Sequence, residues 1–173
     1  LGEYAMSCLG RERMFAYFSE RAGTRVALMR LNYATELRYG VLVDLAQKVY
    51  AGQEISLAVG YANVIWQGDA NAFALSMLAD ANAPPLVLNV TGSERVSCRR
   101  VCEQFGELFG KPVRFADAEG PTALLSDASQ AFARYGMPSV TLADLVSWTA
   151  DWISRGGATY NKPTHFEVAD GKF

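Results

Sequence analysis

Apolar and polar positions alternate along this chain in two rhythms, and the switches between them lay out its elements. Tyr4 to about Arg21 reads as one long helix stopped by Gly23, since glycine takes the left-handed cap that ends helices. Arg25 to Leu31 is a short apolar run, the pattern of a buried parallel strand. Asn32 to Leu37 is a loop, and Tyr39 to Ala51 is helical, with Val41, Leu42, Leu45 and Val49 at helical spacing before Gly52. Ile55 to Val59 alternates as a strand, Gly60 to Asn63 turns, and Val64 to Trp66 is a second short strand. Asp69 is placed to cap a helix over Ala70 to Ala81, whose Phe73, Leu75, Met77 and Leu78 are apolar. Leu86 to Val90 is the next buried strand, and Thr91 to Val96 a polar loop. Ser97 caps a helix to Phe109, which Gly110 stops. Pro112 to Ala116 reads as an edge strand, Glu119 to Thr122 as a turn, and Leu124 to Tyr135 as a helix before Gly136. Thr141 caps the last helix, which runs to about Arg155 with Leu142, Leu145, Trp148 and Trp152 as its core stripe. The tail after Gly156-Gly157 is rich in aromatic residues, so it is expected to dock on the surface or on a partner.

Strands alternating with helices argue for an α/β fold, although the strands are too few for a complete doubly wound sheet. A length of 173 residues suits one domain or parts of two, and half the residues are hydrophobic, enough for a sizeable core. The net charge of −2 argues against a nucleic-acid surface. No run of about 18 apolar residues predicts a transmembrane helix, and the charged opening helix is unlike a signal peptide. The three cysteines make an odd count and read as reduced thiols of a cytoplasmic protein. Cys98 and Cys102 share a helix face without further ligands nearby, which favours packing over metal binding. His165 is the single histidine, so a catalytic triad or a histidine-rich metal site is nearly excluded and no metal is expected.

The candidate chemistry lies in the opening helix. Tyr4 and Cys8 stand at i and i+4 and share a face. With lysine at the second position, the ammonium would lower the tyrosine pKa from about 10 and make it a usable acid/base. That layout is the Tyr-x-x-x-Lys signature of short-chain dehydrogenases, and this helix resembles it. Val26 to Asn32 resembles the strand and Arg-x-x-Asn turn that follow this helix in the extended branch of that family. Gly68-Asp69-Ala70 is similar to its Asp-Val-Ala segment, and Leu88-Asn89-Val90 to its Tyr-Asn-Val strand. From Tyr4 to about Arg155 the chain therefore resembles the C-terminal half of an NAD-dependent epimerase/dehydratase.

The resemblance implies the C-terminal part of a Rossmann-like, NAD(P)-binding doubly wound fold plus a small α/β substrate lobe. Residues 1–33 and 61–92 would belong to the dinucleotide-binding domain, 34–60 and 93–157 to the lobe, and 158–173 to the docked tail. The family's glycine-rich loop and catalytic serine or threonine would lie upstream of Tyr4, so NAD or NADP is implied for the complete protein and none for these residues alone. Tyr4 stands at the family's catalytic acid/base position, and Cys8 replaces the lysine. Asn32 is implied to sit near the nicotinamide or substrate. Arg38 and Tyr39 would open the substrate-lobe helix and could meet an anionic substrate. Asn63 stands where nucleotide-sugar members carry an arginine for the diphosphate, which weakens the case for that substrate. The implied reaction is epimerase, dehydratase or reductase chemistry on a small polar, carbohydrate-like molecule. The missing lysine leaves open a non-catalytic binding or regulatory module on the same fold. An open sheet edge would also suit an interaction protein, either a homodimer or a chain pairing with the missing N-terminal half.

Overall fold

The computed structural model describes residues 2–116 and 118–168. Residues 1, 117 and 169–173, the last of which end the expected tail, lie outside the described residues. The elements run α1 (Glu3–Ala22), β1 (Ala27–Leu31), β2 (Ala34–Thr35), α2 (Val41–Tyr50), β3 (Glu54–Ile55), β4 (Val59–Ala62), β5 (Ile65–Trp66), α3 (Gln67–Ala79), β6 (Leu86–Val90), β7 (Val96–Ser97), α4 (Cys98–Phe109), β8 (Arg114–Phe115), β9 (Thr122–Leu124), α5 (Ser129–Tyr135) and α6 (Leu142–Ser154).

The two apolar strands expected to be buried pair with each other: β1 and β6 are parallel, with Ala27 opposite Leu86 and Leu31 opposite Val90, but no residue of β1 is fully buried, because β6 is its one neighbour among the described residues. β2 with β5 and β3 with β8 are short parallel pairs, and β4 lies between β7 and β9. The architecture is α/β, as the alternation of elements predicts. One core, including Phe73, Met77, Leu88 and Val90, joins α3 to β6. The larger core joins α2, α4 and α6 around Leu42, Leu45, Phe105 and Leu145. Cys98 and Cys102 point into it, and burial pushes their thiols up to about 11 and about 12, so both are inert packing groups. Among the described residues no helix is long and apolar enough to cross a membrane.

Local chemistry sets several boundaries. Gly23 ends α1 at φ 66. The Ser97 hydroxyl caps α4 by accepting from the Arg100 N–H, and Thr141 with Asp144 forms a capping box at α6. Other expectations are corrected by tertiary pairing. Gly60 to Asn63 does not turn: Tyr61 and Ala62 continue β4, paired to Ser97 and Val96 on one side and to Ala123 and Leu124 on the other. Leu124 is extended rather than helical, because its carbonyl accepts the Asn63 N–H; the helix starts only at Ser129. Asp69 does not cap α3, which begins two residues earlier. Its carboxylate accepts the Ser139 hydroxyl at 2.6 Å and the Val140 N–H at 3.0 Å. Leu75 and Leu78 face solvent, because the buried face of α3 follows Ala70, Phe73 and Met77. In α6 the buried face is Leu145, Val146, Thr149, Ala150 and Ile153. Trp148 lies beside that face, edge-on to Trp66 at 5.7 Å between ring centres.

The tail crosses α2. The Tyr160 N–H donates to the Arg38 carbonyl, Thr164 donates twice to Asp44, Lys48 pairs with Glu167 at 2.7 Å, and Phe166 enters the larger core.

Candidate active site

In open α/β sheets, ligands bind in the crevice outside the C-terminal ends of the strands. Here those ends are Leu31 and Val90, and the residues just beyond them are held firmly. The Asn32 N–H donates to the Val90 carbonyl, and the Thr91 hydroxyl donates to the Asn32 carbonyl at 2.9 Å. The Asn32 side-chain amide donates to the Leu124 carbonyl at 3.4 Å. These bonds lock β1, β6 and β9 together at one point and fix the Asn32 carboxamide. Tyr33 follows at φ 43, an uncommon backbone for a residue with a side chain. Burial, with Cys98 nearby, raises its phenol pKa above the ordinary value. Strain of this kind concentrates at functional crevices.

Helix α1 runs antiparallel to β1. Ser19 reaches Asn82 beside the start of β1, whereas Glu12 pairs with Arg30 near its end at 2.7 Å. Tyr4 lies eight residues further along, roughly 12 Å at 1.5 Å per residue, and so stands at the crevice end. It is 71 % exposed. The Arg11 guanidinium lies 3.7 Å from the Cys8 sulfur, which brings a cation next to the lysine position though not onto it. Beneath α1, a groove of about 460 Å³ runs along the edge of β1, lined by Cys8, Arg11, Phe15, Val26 and Met29 among others. Among the described residues that edge of β1 has no strand beside it; β6 is its one neighbour.

Of the other candidates, Asn63 meets this end through its backbone, whose N–H donates to the same Leu124 carbonyl as the Asn32 amide. Arg38 pairs with Glu36 at 2.9 Å and lies over the Tyr160 ring, so it fastens the tail. Tyr39 exchanges backbone hydrogen bonds with Glu36 just before α2. Asn63 is buried: its amide donates to the Glu94 carbonyl and its oxygen accepts the Ser126 N–H, both within the chain. Thr91 and the Leu124 carbonyl were not legible as site groups. A hydroxyl after a strand is common, and a backbone carbonyl carries no sequence signal.

No family model matches the chain, and no curated protein matches its sequence. Solved structures do match in fold. UDP-glucuronic acid 4-epimerase from Bacillus cereus, in complex with NAD, aligns over 90% of this chain and 52% of its own, with a TM-score of 0.74 and 17% identity. dTDP-glucose 4,6-dehydratase from Bacillus anthracis, also with NAD, aligns over 90% and 53%, with a TM-score of 0.72 and 14% identity. UDP-glucose 4-epimerase from Thermus thermophilus, again with NAD, aligns over 81% and 50%, with a TM-score of 0.65 and 18% identity. The chain thus has the fold of about half of an NAD-dependent epimerase or dehydratase, as its motifs imply, and it spans about half the length of these structures.

Proposed function

We propose that this chain forms the C-terminal half of an NAD(P)-dependent epimerase/dehydratase-like protein that acts on a small polar, carbohydrate-like substrate. The supporting observations are the fold shared with NAD-dependent epimerases and dehydratases and the fixed position of Asn32 just beyond the C-terminal ends of β1 and β6. In that reading, the Tyr4 phenol passes a proton to or from a substrate hydroxyl, and Asn32, held by Thr91 and Leu124, positions the substrate. These residues do not by themselves fit a dinucleotide: Tyr4 stands largely in solvent, and the sequence has no strand followed by a glycine-rich turn. The cofactor, which would carry the hydride, would be held chiefly by the other half. In the whole gene product, calorimetry is expected to detect NADH or NADPH binding, and Tyr4→Phe to abolish turnover. Failure to bind either nucleotide would overturn the cofactor reading.

Cys8 favours a second reading, a non-catalytic module on the same fold, because a neutral thiol gives Tyr4 no fixed positive charge. Cys8→Lys decides between the two. A rise in turnover supports the enzyme. An inert product, from a protein that still binds the nucleotide, supports the module.

Partner surfaces fit either reading. The groove side of α1 and the open edge of β1 would take a strand of the N-terminal half. The opposite side of α1 carries Met6, Met14, Tyr17 and Phe18 in solvent around Gly10. A second copy of α1 would cover it, giving a homodimer, and the buried thiols suit a cytoplasmic protein. Sedimentation is expected to give the mass of two copies, dispersed by Met14→Glu with Phe18→Glu. A monomeric wild-type protein would reject the dimer.

A further inference from the structure

We propose a binding site for a phosphate monoester on the substrate lobe, between the starts of α4 and α6 and built apart from the Tyr4 crevice. A cleft of about 210 Å³ there is lined by Glu94, Arg95, Ser97, Arg100, Gln104 and Leu142. It adjoins a smaller cavity of about 90 Å³, which shares Glu94 and Leu142 and adds Ser93, Pro138 and Val140. The two cavities meet at Glu94 and Leu142, the larger one cationic and the smaller one lined by Ser93, Thr141 and apolar side chains.

The two arginines carry the assignment. Arg30, Arg38, Arg99, Arg134 and Arg155 each face a carboxylate within 4.0 Å. Arg95 and Arg100, both exposed, face none among the described residues and make no side-chain hydrogen bond there; Arg13, Arg21 and Arg114 face none either, but Arg95 and Arg100 line one cleft together. Two guanidinium groups lining one cleft repel each other, a cost that a dianion offsets. Arg95 is also held in place: its guanidinium lies over the Tyr61 ring, 3.8 Å from the centre. Stacking occupies the face of the guanidinium and leaves its N–H edge free for two parallel bonds to phosphate oxygens.

The chain already places an anion beside this spot. The Glu94 carboxylate accepts the Leu142 N–H at 3.3 Å at the start of α6. The positive ends of α6 and of the twelve-residue α4 both border the cleft. Glu94 opposes a second anion and leaves the cleft a net charge of about +1. Its carboxylate is also positioned to accept a hydroxyl of the bound ester. The volume suits a phosphate carrying a few carbons and is too small for a dinucleotide.

The test is titration with glycerol 3-phosphate and with inorganic phosphate, followed by arginine side-chain and backbone NMR shifts. Saturable shifts are expected at Arg95, Arg100 and Ser97, with the ester binding more tightly than free phosphate. Arg95→Gln with Arg100→Gln is expected to weaken binding at least tenfold, and Glu94→Gln to tighten it severalfold. Two controls separate the site from net charge: Arg114→Gln and Glu107→Gln, which change exposed charges elsewhere, are expected to leave the affinity within twofold. Non-saturating shifts, or equal effects from the controls, would overturn the site. Equal affinity for ester and free phosphate would overturn the ester assignment. Amide spectra of each variant confirm that it is folded.

Discussion

Phe166→Ala is expected to destabilise the protein by about 3 kcal/mol, at the low end of the roughly 3–5 kcal/mol seen when a buried phenylalanine is truncated. Phe166 is 3 % exposed and belongs to the larger core, although it sits near the end of the described tail. The low end follows from the unfolded tail regaining chain entropy once its anchor is gone. Four polar ties would remain, at Arg38, Gln47, Asp44 and Lys48, but polar bonds exchanged with water contribute only about 1 kcal/mol each. The tail should therefore open well before the whole protein does. Urea unfolding gives the loss of stability, and amide exchange at Tyr160 and Thr164 reports the opening. An unchanged midpoint with both amides still protected would show that the tail is held by its polar ties instead.

Acid should loosen the same tail. Burial pushes the Glu167 carboxyl up, but hydrogen bonds from Lys48 and the backbone outweigh it and hold the pKa below the ordinary carboxylate value. A lowered folded-state pKa gives stability that is present above the unfolded value, about 4.3, and is lost as the pH falls through the folded one.

Asp69→Ala is expected to cost a similar amount, about 3 kcal/mol. The carboxylate is 8 % exposed and accepts from both Ser139 and Val140 in the segment leading into α6. Removing it leaves the partly buried Val140 N–H unmet, at about 1–3 kcal/mol, and gives up the charge-assisted bond from the exposed Ser139 hydroxyl, about 1.5 kcal/mol. Asp69→Asn keeps the shape but turns one of the two acceptors into a donor, so about half the loss is expected. For a chain of this size, 3 kcal/mol corresponds to a fall in melting temperature of about 6–12 °C. If Asp69 merely helped the start of α3, both variants would lose well under 1 kcal/mol.

The contrast between these two residues shows what could be read beforehand. Asp69 stood out because an acid at a helix start has a local role. Its actual partners lie seventy residues away in sequence, beyond the reach of any local pattern. Tyr4, Cys8 and Asn32 could be proposed because their spacing and order resemble a family motif, with Cys8 in place of its lysine. The partners that hold Asn32, the Thr91 hydroxyl and the Leu124 carbonyl, were hidden, since neither carries a signature.

The sequence by itself determined the α/β class, the long opening helix ended at Gly23, the existence of strands β1 and β6, and the capped starts of α4 and α6. Each of these rests on neighbouring residues: apolar periodicity, a glycine free to turn left-handed, or a hydroxyl beside unpaired N–H groups. Tertiary structure alone decided that Gly60 continues a strand, that Leu124 is extended, and that Asn63 clamps two loops. In each case long-range hydrogen bonding outweighs local preference by supplying the partners that buried backbone groups require. It also decided that Leu142, 48 residues away, closes the cleft beside Glu94, Arg95 and Arg100, because only the folding of α6 onto the start of α4 brings it there.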